Sequence, residues 1–158
     1  MRSLAVFAVP LALALGALAF TSTDRARAEE KAEKEKPPAL VPVDVNMHDF
    51  MEGMFQAPYR RLKVALAAEP KDAAGWKAVR SDALILAEGS NLLLTRLPKA
   101  DAELWSKHSV ASRDSGVQLL KAAKAKDYPT ARKAYEAMLG HCNACHKKFE
   151  DGKHILAP

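Results

Sequence analysis

The chain of 158 residues predicts an all-α fold, an antiparallel up-down-up-down four-helix bundle, on three observations. Five Phe, three Tyr and two Trp are a lean supply of the residues that strands draw on, so a sandwich or barrel is not expected. Apolar residues recur at spacings of three and four over four stretches of about 20 residues, the period of a helix with one buried face. The stretches are separated by Glu69-Pro70-Lys71-Asp72, Pro98-Lys99-Ala100-Asp101 and Asp127-Tyr128-Pro129. Connections that short make sequence neighbours pack side by side and run antiparallel.

Before the helices comes a segment with another purpose. Arg2, the apolar run Leu4 to Phe20 and the small-x-small triplet Ala26-Arg27-Ala28 read as a Sec signal peptide over residues 1–28. An uncleaved anchor needs about 20 apolar residues, slightly more than the run offers. No cysteine follows the run, which excludes a lipoprotein anchor. An exported, periplasmic product without stable membrane insertion is expected. The formal net charge is +5, and loss of Arg2, Arg25 and Arg27 with Asp24 leaves +3, a weak excess that does not call for nucleic acid. Residues 29–43 are mostly Ala, Glu, Lys and Pro, a solvated tether, so the compact domain spans 44–158.

The first helix is expected from Asn46 to Ala68, with Met47, Met51, Met54, Leu62 and Leu66 on one face and a kink at Pro58. Asp72 caps the second, whose stripe is Trp76, Val79, Ala83, Leu86, Ser90, Leu93 and Leu97. The third, from about Asp101 to Lys126, aligns Trp105, Ser109, Ser112, Gly116, Leu119 and Ala123. One large residue followed by a line of small ones suits either close helix packing or room for a planar ligand. The fourth opens at Asp127-Tyr128-Pro129, carries Ala131, Tyr135, Met138, Cys142, Cys145 and Phe149 on one face, and ends at Gly152. The chain shows no internal repeat.

Both cysteines of the protein fall in Cys142-Asn143-Ala144-Cys145-His146 on that last helix. C-x-x-C-H is the spacing that attaches a c-type haem. Residues three apart share a helical face, so two thiols can bond one edge of the macrocycle while the adjacent imidazole reaches the iron. A thioredoxin-like pair would sit between a strand and a helix, and no strand is readable. A zinc site from His141, Cys142, Cys145 and His146 has suitable ligand types, but one helical stretch cannot easily aim four of them at a tetrahedron. A disulfide fits an i, i+3 helical pair poorly. One covalent haem c is the expected cofactor, held by Cys142 and Cys145, with His146 as the proximal iron ligand.

With these features the chain resembles the class II cytochromes c, the cytochrome c-prime family, over roughly Asn46 to Gly152. The similarity rests on a four-helix pattern with a single C-x-x-C-H near the end of the last helix, followed by Lys147-Lys148 and Phe149. In class I members the motif lies near the amino terminus, with the methionine ligand after it. The resemblance implies that the start of the first helix lies opposite His146 and supplies the distal residue. High-spin members leave the iron five-coordinate and bind NO or CO, whereas low-spin members present a methionine. Matching Phe50-Met51 and Glu69-Pro70-Lys71-Asp72-Ala73 to the low-spin branch makes Met51 the implied distal ligand, with Met47 as the alternative. The alternative is that all three methionines are flexible core filler, and His48 is an outside candidate for bis-histidine ligation.

His108, His141 and His154 receive no role. Arg60, Arg61 and Lys63 could meet haem propionates or form a solvated helix face. A one-electron carrier that exchanges electrons with redox partner proteins is the expected function, the alternative being a five-coordinate gas binder. A homodimer is compatible with both. No acid/base pair, nucleophile or phosphate loop accompanies the motif, so an enzyme is not expected.

Overall fold

A computed structural model describes residues 39–158, so the expected leader 1–28 and most of the expected tether 29–43 lie outside it. Residues 40–43 of the tether carry no regular structure and are largely exposed. Every helix and turn of helix among the described residues falls in four packed rods, with no strand.

The first rod, α1, is continuous but changes pitch. It is α-helical over Met47–Met51, π-helical over Glu52–Gln56 and α-helical again over Ala57–Ala65. Asn46 starts it: its side-chain oxygen accepts from the His48 N–H at 3.0 Å and the Asp49 N–H at 3.5 Å, a cap worth about 1 kcal/mol. The wide turn has a physical cause in Pro58, which has no N–H to donate and whose ring would crowd the Met54 carbonyl four residues back. Widening the preceding turn lets Pro58 sit in the first turn of the following α-segment. The disturbance expected at Pro58 thus takes the form of a π-helical turn just before it.

Helix α2 spans Ala73–Leu92 and is capped as expected, the Asp72 carboxylate accepting from the Gly75 N–H at 2.7 Å. It tightens into a 3-10 turn over Leu93–Thr95, which leaves Leu97 outside the stripe and 54% exposed. Helix α3 spans Ala102–Ala125. Asp101 does not cap it through its side chain: its backbone is left-handed, with φ of 58°, and its carboxylate pairs with Lys148 at 2.8 Å. Helix α4 spans Tyr128–Phe149, with Asp127 accepting from the Thr130 N–H at 3.1 Å.

The core follows the predicted stripes. Leu62 and Leu66 of α1, Val79 and Ala83 of α2, Leu119 and Ala123 of α3, and Ala131 and Tyr135 of α4 are fully buried. Each larger aliphatic among them contributes about 1.5–3 kcal/mol. The Leu66 carbonyl, left without a helical partner at the end of α1, accepts from Tyr128 Oη at 3.0 Å and Arg132 at 2.9 Å. At the opposite end Trp105, early in α3, packs edge-on against Phe149, the last residue of α4, with centroids 5.1 Å apart. Its indole N–H donates to the Leu93 carbonyl at 3.0 Å. The ends of α2 and α4 therefore meet the start of α3.

The small-residue line of α3 serves packing at Gly116, where an added Cβ would lie 3.0 Å from the Ala87 Cβ and 3.1 Å from its Cα. Gly116→Val is expected to force α2 and α3 apart and cost about 1–3 kcal/mol, read as a lower urea midpoint.

Candidate functional site

The changed pitch of α1 decides which of its side chains face α4. A stripe at i, i+4 drifts round an α-helix by about 40° per step, and the wider π-turn takes up part of that drift. Met47, Met51, Phe55 and Tyr59 thereby line one cavity, while Met54 turns to α2. A Cβ on Gly89 would lie 2.8 Å from the Met54 Cγ and 2.9 Å from the Phe55 ring, so glycine there lets α1 approach. The single face expected for Met47, Met51, Met54, Leu62 and Leu66 is thus divided between the cavity, the α2 contact and the core. The three methionines are half-buried, whereas Leu62 and Leu66 are fully buried.

The cavity has a volume of about 390 Å³, within the range of small-molecule and cofactor sites. Cys142, Cys145 and His146 line it from α4, in the same cavity as Met47 and Met51. Leu86, Leu93, Trp105, Met138, Leu139 and Phe149 supply an apolar wall. Both thiols are free. Cys142 lies 3.7 Å from Ser112 Oγ, which is 3.1 Å from Ser90 Oγ, and Ser90 in turn donates to the Leu86 carbonyl at 2.8 Å. This chain of hydroxyls satisfies buried polar atoms that would otherwise be costly. Ser112 also lines the cavity, so the small-residue line of α3 makes room at this point and packs tightly at Gly116.

Burial pushes the Cys142 thiol above its ordinary range, with the Ser112 hydrogen bond opposing it. Burial, reinforced by Cys142, raises Cys145 to about 11. At pH 8 a thiol raised by about two pH units from 9.0 holds roughly 100-fold less of the reactive thiolate. In the folded chain with both thiols free, alkylation of Cys145 is expected to be slower by about that factor than in urea, and to accelerate until the pH passes about 11. Mass spectrometry of iodoacetamide-treated samples reads both.

His146 is held in a defined tautomer. The His154 carbonyl lies 2.8 Å from Nδ1 and can only accept, so Nδ1 carries the proton and Nε2 keeps its lone pair. Burial lowers the basicity of the ring, and the His154 carbonyl works against that shift. A neutral imidazole with an open Nε2 is the metal-ligating form.

The basic group of α1 divides. Arg61 makes a two-oxygen ion pair with the buried Asp82 of α2, at 2.6 Å from Nη2 and 3.0 to 3.1 Å from Nε. Lys63 donates to the Ala157 carbonyl at 3.1 Å. Arg60 alone of the three lines the cavity. His48 also lines it, exposed and 3.7 Å from Glu52. His108 lies outside it; burial, then His141 and Lys107, lower its basicity.

The carboxyl-terminal tail is a part of the site that sequence reasoning missed. His154, Ile155 and Leu156 line the cavity. The one signal available was the apolar pair Ile155-Leu156 following Lys153-His154, which carries no helical period. No family model matches the chain, and neither a curated protein nor a solved structure is significantly similar to it.

Proposed function

We propose that the protein is a periplasmic c-type cytochrome that holds one haem covalently through Cys142 and Cys145 and acts as a one-electron carrier. The bundle is read as antiparallel up-down-up-down, as short connections and the meeting of the α2 and α4 ends with the α3 start favour. The observation that carries the functional reading is the single cavity that has two free thiols and a neutral imidazole on α4 and two thioethers on α1.

The donor set fits the group. Cys142 and Cys145 are three residues apart on a helical face and border an apolar cavity, His146 offers Nε2, and Met51 or Met47 offers a sulfur. The bound haem would supply an iron that cycles between Fe(III) and Fe(II). The chain's own residues do the rest. Leu86, Trp105, Met138 and Phe149 give the site an apolar wall, which lowers the local dielectric around a changing charge. The His154 carbonyl holds the Nδ1 proton and so fixes the donor face of His146. A methionine sulfur favours the reduced state relative to a second imidazole. Arg60 is the cavity-lining cation available to a carboxylate at the rim.

Optical spectroscopy of the exported protein tests the reading. A pyridine haemochrome of the covalent c type is expected, with low-spin bands and a weak near-infrared sulfur-to-iron feature. No haemochrome would overturn the assignment, and a high-spin spectrum that shifts strongly with CO or NO would replace the carrier by a gas binder.

A further inference from the structure

We propose that the tail following α4, residues 152–158, is a latch that orients the His146 imidazole, and that Asn143, a variable position within C-x-x-C-H, is the positioning residue that holds it. The proposal rests on the haem reading above for its redox consequence, but not for the contacts.

The chain leaves α4 by reversing direction. Asp151, Gly152 and His154 all have left-handed backbones, with φ of 51°, 74° and 55°, and the Gly152 N–H bonds back to the His146 carbonyl at 3.0 Å. Such a conformation is unfavourable for a histidine and persists where surrounding contacts impose it. Four side chains supply those contacts. The His154 carbonyl accepts the His146 Nδ1–H at 2.8 Å. The Asn143 side chain pairs with the backbone of Leu156 as a strand would, donating to its carbonyl at 2.9 Å and accepting its N–H at 2.8 Å. Tyr59 Oη donates to the Ala157 carbonyl at 2.9 Å and accepts its N–H at 3.2 Å, and Lys63 reaches the same carbonyl. The tail therefore bridges α4 and α1 over the cavity it lines.

Two of these contacts use both a donor and an acceptor of one side chain on one residue's backbone, which fixes position as well as distance. With Leu156 fixed two residues beyond it, the His154 carbonyl is set against Nδ1. A ligating imidazole that donates its other N–H to a carbonyl is a stronger electron donor and keeps one orientation. It stabilises the oxidised metal, so release of the latch raises the reduction potential.

The test uses the full exported chain, its Asn143→Ala variant, a variant ending at Gly152, and the combination of the two changes. Potentiometry is expected to show a positive shift for Asn143→Ala and at least as large a shift for the shortened chain, with Asn143→Ala adding nothing once the tail is gone. Carboxypeptidase is expected to trim the Asn143→Ala tail roughly 10-fold faster than the native one, because the variant lacks two amide hydrogen bonds. In ¹⁵N-histidine spectra the slowly exchanging His146 Nδ1 proton should disappear in both variants. Lys153→Ala should keep all three properties, because the exposed Lys153 side chain takes no part in these contacts and does not line the cavity. An unchanged potential with an intact Nδ1 proton in Asn143→Ala would overturn the latch, as would an equal effect of Asn143→Ala in the shortened chain. If the exported chain holds no haem, the functional reading fails, and the proton signal and tail trimming on that same chain still decide the latch.

Discussion

Replacing Cys142 and Cys145 together by alanine is expected to abolish covalent haem, seen as complete loss of haem-dependent peroxidase staining after denaturing electrophoresis. The two sulfurs are the only thiols of the chain and both face one cavity, so no other side chain can form a thioether. The helix should survive the change. Alanine is the strongest helix former, and the neighbouring core positions Tyr135, Met138 and Leu139 are already packed. The substitution removes one polar interaction, the 3.7 Å approach of Ser112 to Cys142, and Ser112 retains Ser90. Circular dichroism should therefore remain helical while the stain vanishes. Staining that persists in the double variant would sink covalent attachment at this motif.

Met51→Leu is expected to convert a low-spin spectrum to high-spin, to lower the reduction potential and to open the iron to CO. Leucine nearly matches the volume of methionine, so packing changes by less than about 1.5 kcal/mol while the sulfur is removed. An iron whose sixth position is free about 1% of the time gains roughly 100-fold in apparent CO affinity when the internal ligand goes. Met47 is the necessary comparison, because the two residues are four apart and line the same cavity. A low-spin Met51→Leu protein with a high-spin Met47→Leu protein would move the ligand one turn toward the amino terminus. Wild-type protein that already binds CO readily would leave neither methionine on the iron. Met54 is expected to have no spectral effect, since it packs against Gly89 of α2.

Much of this organisation was legible in the sequence by itself. Trp76, Val79, Ala83, Leu86 and Ser90 on α2, and Trp105, Ser109, Ser112, Gly116, Leu119 and Ala123 on α3, are all buried at the predicted spacing. A helical period reports which residues share a face, and a face this consistent has one place to go. The co-location of Cys142, Cys145 and His146 was legible for the same reason, since residues so close on one helix need no tertiary contact to meet. Tertiary structure alone decided the rest. Pro58 signalled the disturbance of α1, but that Met54 meets Gly89 of α2 while Met51 lines the cavity is settled only by how α1 lies on its neighbours. Asp101 precedes α3 without capping it through its side chain, because its carboxylate pairs with Lys148, 47 positions later in the chain. The tail carries no period and joins the site through backbone carbonyls and N–H groups. Those groups are the same at every residue, so the side-chain pattern cannot announce which of them a distant Asn143 or Tyr59 will bind.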